Sequence, residues 1–121
     1  MNEHTLLPHD HGEAADFGEH MPSQATVQAV SAAMKQLGDP SRLRIFWILC
    51  HYEECVQNLA ALTSMSSPAV SHHLSMLKSS GLVISTRRGK EMYYRAADTP
   101  MAASLHSMIE AIADITCPGV Q

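Results

Sequence analysis

From Ser23 the apolar positions fall into a helical period. Val27, Val30, Met34 and Leu37 recur at spacings that share one face, and Gly38 closes the run. Those four residues are the predicted core face of a first helix. Asp39-Pro40 reopens a helix, with Asp39 as its N-cap and Pro40 at its first position. Leu43, Phe46, Trp47 and Cys50 make its apolar side. A short helix is predicted from about Glu54 to Leu62, carrying Val56, Leu59 and Ala60, and Thr63-Ser64-Met65 has only the length of a tight turn. Ser66-Ser67-Pro68 opens the next helix, with Ser67 as N-cap and Pro68 at the first position. Its stripe is Val70, Leu74 and Leu77, and Gly81 stops it.

The period then shortens. Leu82 to Thr86 and Met92 to Ala96 are β-branched or aromatic runs flanking Arg87-Arg88-Gly89-Lys90-Glu91, which predicts a hairpin with a basic tip. A last helix is predicted from about Thr99 to Thr116. Met101, Leu105, Met108, Ile109, Ile112 and Ile115 form its stripe, and Pro118-Gly119 ends it. The expected fold is mainly α with a small β-hairpin wing: five helices and two strands in the order ααααββα, a winged helix-turn-helix. Residues 1–22, with prolines, glycines, acids and histidines but no sustained apolar period, read as a flexible tail. Residues 23–117 are the predicted winged helix-turn-helix domain, and 118–121 a short C-terminal tail.

Composition narrows the class. A chain of 121 residues has room for one modest core. The longest apolar run, Ile45 to Cys50, is far too short to span a bilayer, and no basic, apolar leader opens the chain. Three cysteines without a close pair suit a reducing compartment, so the cytoplasm is the expected location and no membrane partner is expected. The net charge of −4 is unevenly spread. Residues 1–20 hold five acids and no Lys or Arg, whereas residues 40–97 hold seven bases against three acids. That local excess is what contact with phosphates requires.

With Val70, Leu74 and Leu77 turned inward, the face holding Pro68, His72, Ser75 and Ser79 turns outward. It is small, polar and uncharged, suited to entering a major groove and offering hydroxyl and imidazole groups to base edges. Lys78 and the hairpin bases Arg87, Arg88 and Lys90 would hold phosphates. His73, nearer the apolar stripe, reads as structural. The alternative from pattern alone is a winged-helix protein-interaction module without DNA affinity. An enzyme is not expected, because the chain has no glycine-rich phosphate loop, nucleophile elbow or paired-histidine protease motif.

Taken together, Leu37-Gly38-Asp39-Pro40-Ser41-Arg42-Leu43-Arg44-Ile45, Cys55-Val56-Gln57-Asn58-Leu59-Ala60, Ser67-Pro68-Ala69-Val70-Ser71-His72-His73-Leu74, Leu77-Lys78, Gly81-Leu82-Val83 and Arg88-Gly89-Lys90-Glu91-Met92-Tyr93-Tyr94 resemble the ArsR/SmtB family over about residues 25–116. The resemblance implies a homodimer joined through the first and last helices. It implies repression at a pseudo-palindromic operator in duplex DNA, relieved by an inducer, with recognition contacts at Ser67, Ser71 and His72. The expected inducer is a transition-metal ion such as zinc or cadmium.

Where an inducer would bind is less regular. Cys55 stands at the first cysteine of the family's metal-thiolate motif, but Gln57 replaces the second. Tail histidines His4, His9, His11 and His20 could complete such a site, or Cys55 is simply a buried helix residue. The family's interfacial zinc pattern would use Asp98, Pro100, Ala111 and Asp114, of which only the two aspartates are ligands. On the last helix His106 and Glu110, four residues apart, can share one ion, with Cys117 on the same stripe but too distant within one chain. The alternative for that pair is an exposed polar face. Some relatives sense oxidants or persulfides through one cysteine in the second helix and one in the last. Cys50 and Cys117 lie in those helices, about one turn from the expected positions; their alternative is two inert thiols.

Overall fold

The computed structural model describes residues 20–114 continuously, with Pro8 and Gly18 besides. Gly18 and His20 have helical backbone, where an irregular tail is expected. From Gln24 onward the elements are α1 (Gln24–Leu37), α2 (Pro40–Leu49), β1 (Glu54–Cys55), α3 (Val56–Thr63), α4 (Ser67–Ser79), β2 (Val83–Arg88), β3 (Glu91–Ala96) and α5 (Pro100–Ala113). No helix among the described residues is long and apolar enough to cross a membrane.

Side-chain oxygens start most of these helices. The Ser23 hydroxyl accepts from the Thr26 N–H at 3.1 Å, and Asp39 Oδ2 accepts from the Arg42 N–H at 3.0 Å. Each satisfies a donor that the first helical turn cannot pair internally. The bond from Arg42 holds the Asp39 carboxyl below its usual acidity range, aided by the charges of Arg42 and His73 against a smaller desolvation cost. At α4 the cap is Ser66, whose hydroxyl accepts from the Ala69 N–H at 3.2 Å. Ser67 is therefore the first helical residue and not the expected cap. Thr99 caps α5 in the same way, through the Ala102 N–H at 3.1 Å.

The helix-turn-helix is α3, a short turn and α4. Ser64 makes the turn by taking a left-handed backbone (φ 56°), and the Met65 N–H donates to the Ala60 carbonyl. Val70, Leu74 and Leu77 of α4 are wholly buried, as their spacing predicts. Each contributes about 1.5–3 kcal/mol relative to an exposed side chain. They meet Ile45, Phe46 and Leu49 of α2 with Leu59 of α3. The buried face of α2 thus runs through Ile45 and Leu49, while the expected Leu43, Trp47 and Cys50 lie at its margin.

Two strands were expected, but the sheet has three, in the order β1-β3-β2. The register of the hairpin runs from Val83 opposite Ala96 to Arg88 opposite Glu91, leaving the two-residue loop Gly89-Lys90. Gly89 has φ +62°, a value that glycine adopts without the strain a Cβ brings. The extra strand pairs Glu54 with Tyr94 and Cys55 with Tyr93. Glu54 and Cys55 are therefore strand residues, and α3 begins only at Val56.

The expected core face of α1 is also revised. Leu37 is buried together with Ala33, but Val27, Val30 and Met34 are 50%, 42% and 48% exposed in the single chain. On α5, Ala102, Leu105 and Ile109 face the core, while Ile112 is 78% exposed. The helix closes at Ala113, with Asp114 left-handed (φ 55°), earlier than the expected Thr116. Ile115 and Cys117 lie outside the described residues.

Candidate nucleic-acid interface and ligand cluster

One side of α4 is committed to the core, which leaves the other to solvent. Ser67, Pro68, Ser71, His72, Ser75, Lys78 and Ser79 are all exposed. At 100° per residue this surface is continuous along the helix, polar, and free of carboxylates. The Lys78 ammonium donates to the Ser85 hydroxyl on β2 at 2.7 Å, joining the charged end of this face to the hairpin. His73 is half-buried, with Nδ1 at 3.4 Å from Arg42 Nη1, and Arg42 Nε donates to the Gln36 carbonyl at 3.0 Å. That linkage suits the structural role expected of His73.

The hairpin carries Arg87, Arg88 and Lys90 at its exposed tip. Arg88 is engaged at both ends. Its Nη2 forms an ion pair with Glu53, and its guanidinium lies over the Tyr93 ring at 5.0 Å from the centroid. Arg87 and Lys90 have no ion pair with a described residue.

A second constellation sits at the other end of α2. The chain turns after Leu49, and the His51 N–H donates to the Ile48 carbonyl. This places the imidazole one turn beyond Trp47, with ring centroids 4.6 Å apart. From α5, one turn separates His106 and Glu110, which reach toward the same point. His51 Nε2 is 3.1 Å from His106 Nε2 and 3.4 Å from Glu110 Oε2, and His106 Nε2 is 3.1 Å from Glu110 Oε2. The three side chains are only 10%, 21% and 16% exposed. His51 and His106 border a cavity of about 580 Å³ that Cys50, Tyr52, Glu53 and Asp98 also line.

His106 and Glu110 are thus brought together as their spacing predicts. His51, two residues past the end of α2, is not among the expected ligands; the signal that could have found it is its place four residues after Trp47, one turn on from that helix. Cys55 does not belong to this group. It is 7% exposed, and its thiol makes no capping bond at the head of α3. Of its expected tail partners His20 is exposed, while His4, His9 and His11 lie outside the described residues. Cys50 is half-buried beside the cavity, and its expected redox partner Cys117 lies outside the described residues.

Comparison with known proteins places the fold. Residues 39–85 match the family described as bacterial regulatory protein, arsR family. The chain is 37% identical over 89 residues to the HTH-type transcriptional regulator NmtR of Mycobacterium tuberculosis, covering 74% of this chain and 73% of that protein. It is 42% identical over 67 residues to the cadmium resistance transcriptional regulatory protein CadC of Listeria innocua, covering 54% and 56%. For several curated relatives that it matches, the chain spans 54% to 66% of their length. A solution structure of the homodimeric winged helix-turn-helix DNA-binding domain of Mb0332 from Mycobacterium bovis, a possible ArsR-family transcriptional regulator, superposes with a TM-score of 0.68. It is 33% identical, with 77% of this chain and 88% of that one covered. The capped helix-turn-helix, the basic wing and these relationships lead to one assignment: the chain belongs to the arsR family of bacterial regulatory proteins.

Proposed function

We propose that this protein is a homodimeric transcriptional repressor that binds duplex DNA through α4 and the wing and is released by a transition-metal ion. The observation that carries the reading is the division of α4. Its inward residues are fully buried, while Ser67, Pro68, Ser71, His72 and Ser75 form an exposed polar face ending at Lys78. A face of short side chains lets the helix approach base edges, and Lys78 with Arg87, Arg88 and Lys90 flanks it with positive charge.

The second protomer has a natural seat. Val27, Val30 and Met34 on α1 and Ile112 on α5 leave large apolar side chains in water. Exposed apolar rows of this kind are unusual on a monomer and are covered by pairing two copies. The homodimeric relative supports the pairing of two copies. The reading as a regulator and not an enzyme agrees with the family assignment. A metal inducer is supported by the imidazole and carboxylate cluster beside α5 and by the kinship to a cadmium resistance regulator.

The test is anisotropy of fluorescent promoter duplex with metal-free protein, repeated across salt concentrations. Tight, salt-dependent binding that zinc or cadmium reverses supports the repressor. Absence of binding at low salt refutes it and leaves a protein-interaction module.

A further inference from the structure

We propose that His51, His106 and Glu110 form an intrachain site for one borderline divalent ion of the zinc class. The ion would fasten the C-terminal end of α2 to α5, and this site, not Cys55, would receive the inducer. The proposal rests on the repressor reading above for the word inducer, and on geometry alone for the site.

The geometry is specific. Zinc bonds to imidazole nitrogen and carboxylate oxygen are about 2.0–2.2 Å long, so two ligand atoms of a tetrahedral site stand about 3.3 Å apart. The three candidate atoms stand 3.1, 3.1 and 3.4 Å apart. Their mutual spacing matches that of three corners of such a tetrahedron. The adjoining cavity gives access and room for a water or a further donor at the fourth corner.

The donor set selects the ion. Two imidazoles and one carboxylate, with no thiolate, favour zinc or cobalt over soft cadmium or copper(I), and three tetrahedral corners disfavour magnesium and calcium. The site also has a route to the DNA-binding face. α2 is a single ten-residue helix, His51 follows its C-terminal end, and Arg42 in its first turn touches His73 on α4. An ion that holds His51 to α5 therefore fixes one end of the rod that supports the recognition helix. On its other side, α5 carries Ile112, part of the proposed dimer face.

The molecule contains its own reporter. Trp47 is the chain's one tryptophan, and its ring packs on His51. Full-length, metal-free protein should therefore be titrated with zinc while its intrinsic fluorescence is followed, and with cobalt while its visible spectrum is followed. Wild type and Cys55→Ser should both change Trp47 emission at one equivalent and bind zinc with equal affinity. His51→Gln, His106→Gln and Glu110→Gln should each lose more than the about 10- to 100-fold that removing a mere supporting hydrogen bond costs. They should keep metal-free operator affinity and lose release by zinc. The cobalt complex of the wild type needs no variant and should show tetrahedral ligand-field bands without sulfur-to-metal charge transfer. Undiminished zinc affinity in His51→Gln, or a thiolate band with cobalt, overturns the site. If metal-free wild type fails to bind operator while these titrations succeed, the repressor reading fails and the metal site stands.

Discussion

The Lys78 ammonium and the Ser85 hydroxyl meet at 2.7 Å, so the last turn of α4 and the first wing strand share a hydrogen bond. The charge is thereby held in the notch between the two elements that would straddle a phosphate backbone. Lys78→Gln should weaken binding to operator and random duplex alike, and should reduce the slope of log affinity against log salt by about 0.9 for each protomer of the dimer. Anisotropy at four or five salt concentrations measures this. A loss confined to the operator would mean that Lys78 reads a base.

The neighbouring uncharged face should behave in the opposite way. Ser71→Ala combined with His72→Ala should cost about 1–3 kcal/mol of operator binding for each base-edge hydrogen bond removed, with random duplex unaffected. Both side chains are exposed, so the fold and the dimer should survive. Equal affinity of variant and wild type for the operator would show that α4 presents another face to DNA.

The two wing arginines are not equivalent. Arg88 already has Glu53 and the Tyr93 ring as partners, and must leave the carboxylate to reach a phosphate. Arg87→Ala should therefore reduce DNA affinity more than Arg88→Ala. The latter should instead lower stability, by at most about 1 kcal/mol for a pair this exposed. Parallel thermal melts and DNA titrations separate the effects.

On α1, Val30→Glu or Met34→Glu should abolish dimers at micromolar concentration without unfolding the chain. Both residues are nearly half exposed in the single chain, whereas Ala33 and Leu37 carry the packing of that helix. Sedimentation velocity and circular dichroism together decide this. A folded dimer in both variants would place the interface elsewhere.

Acid should expose the cap of α2. The folded Asp39 carboxyl titrates below its ordinary value of 3.8 because it accepts the Arg42 N–H. A depressed folded value contributes stability that is present above about 3.8 and is lost as pH falls through the lower folded value. Asp39→Asn retains an acceptor but no charge. Its deficit in melting temperature should be visible at pH 6 and should shrink below about pH 3.8. A deficit independent of pH would assign the cap's value to hydrogen-bond shape alone.

The parts of this structure legible in sequence are those where one chain satisfies its own pattern. Val70, Leu74 and Leu77 are spaced for a helix and find the core, so α4 and its outward face follow directly. Val27, Val30 and Met34 have equally good spacing but are exposed in the single chain, because periodicity marks an apolar face without saying what that face packs against. The choice between Ser66 and Ser67 as cap is undecided in sequence, since either serine can accept the bond and proline is tolerated in either of the next positions. β1 is two residues long and has no period to detect. The last helix ends early because Asp114 takes the left-handed conformation, which aspartate tolerates better than most residues. His51 is separated from His106 by 55 positions, and only the folded path of α2 past α5 makes them neighbours.

β1 has an effect out of proportion to its length. By pairing Cys55 with Tyr93, it fastens the inner half of the hairpin to the residue just before α3. Only the pairs Arg87 with Met92 and Arg88 with Glu91, and the loop beyond them, project past that fastening. The root of the wing thus surrenders its freedom during folding, and in the proposed complex little of that entropy would remain to be lost on DNA. In the proposed complex a wing anchored at its base would bring only its tip to a groove whose width varies from one operator to the next, while α4 keeps its register.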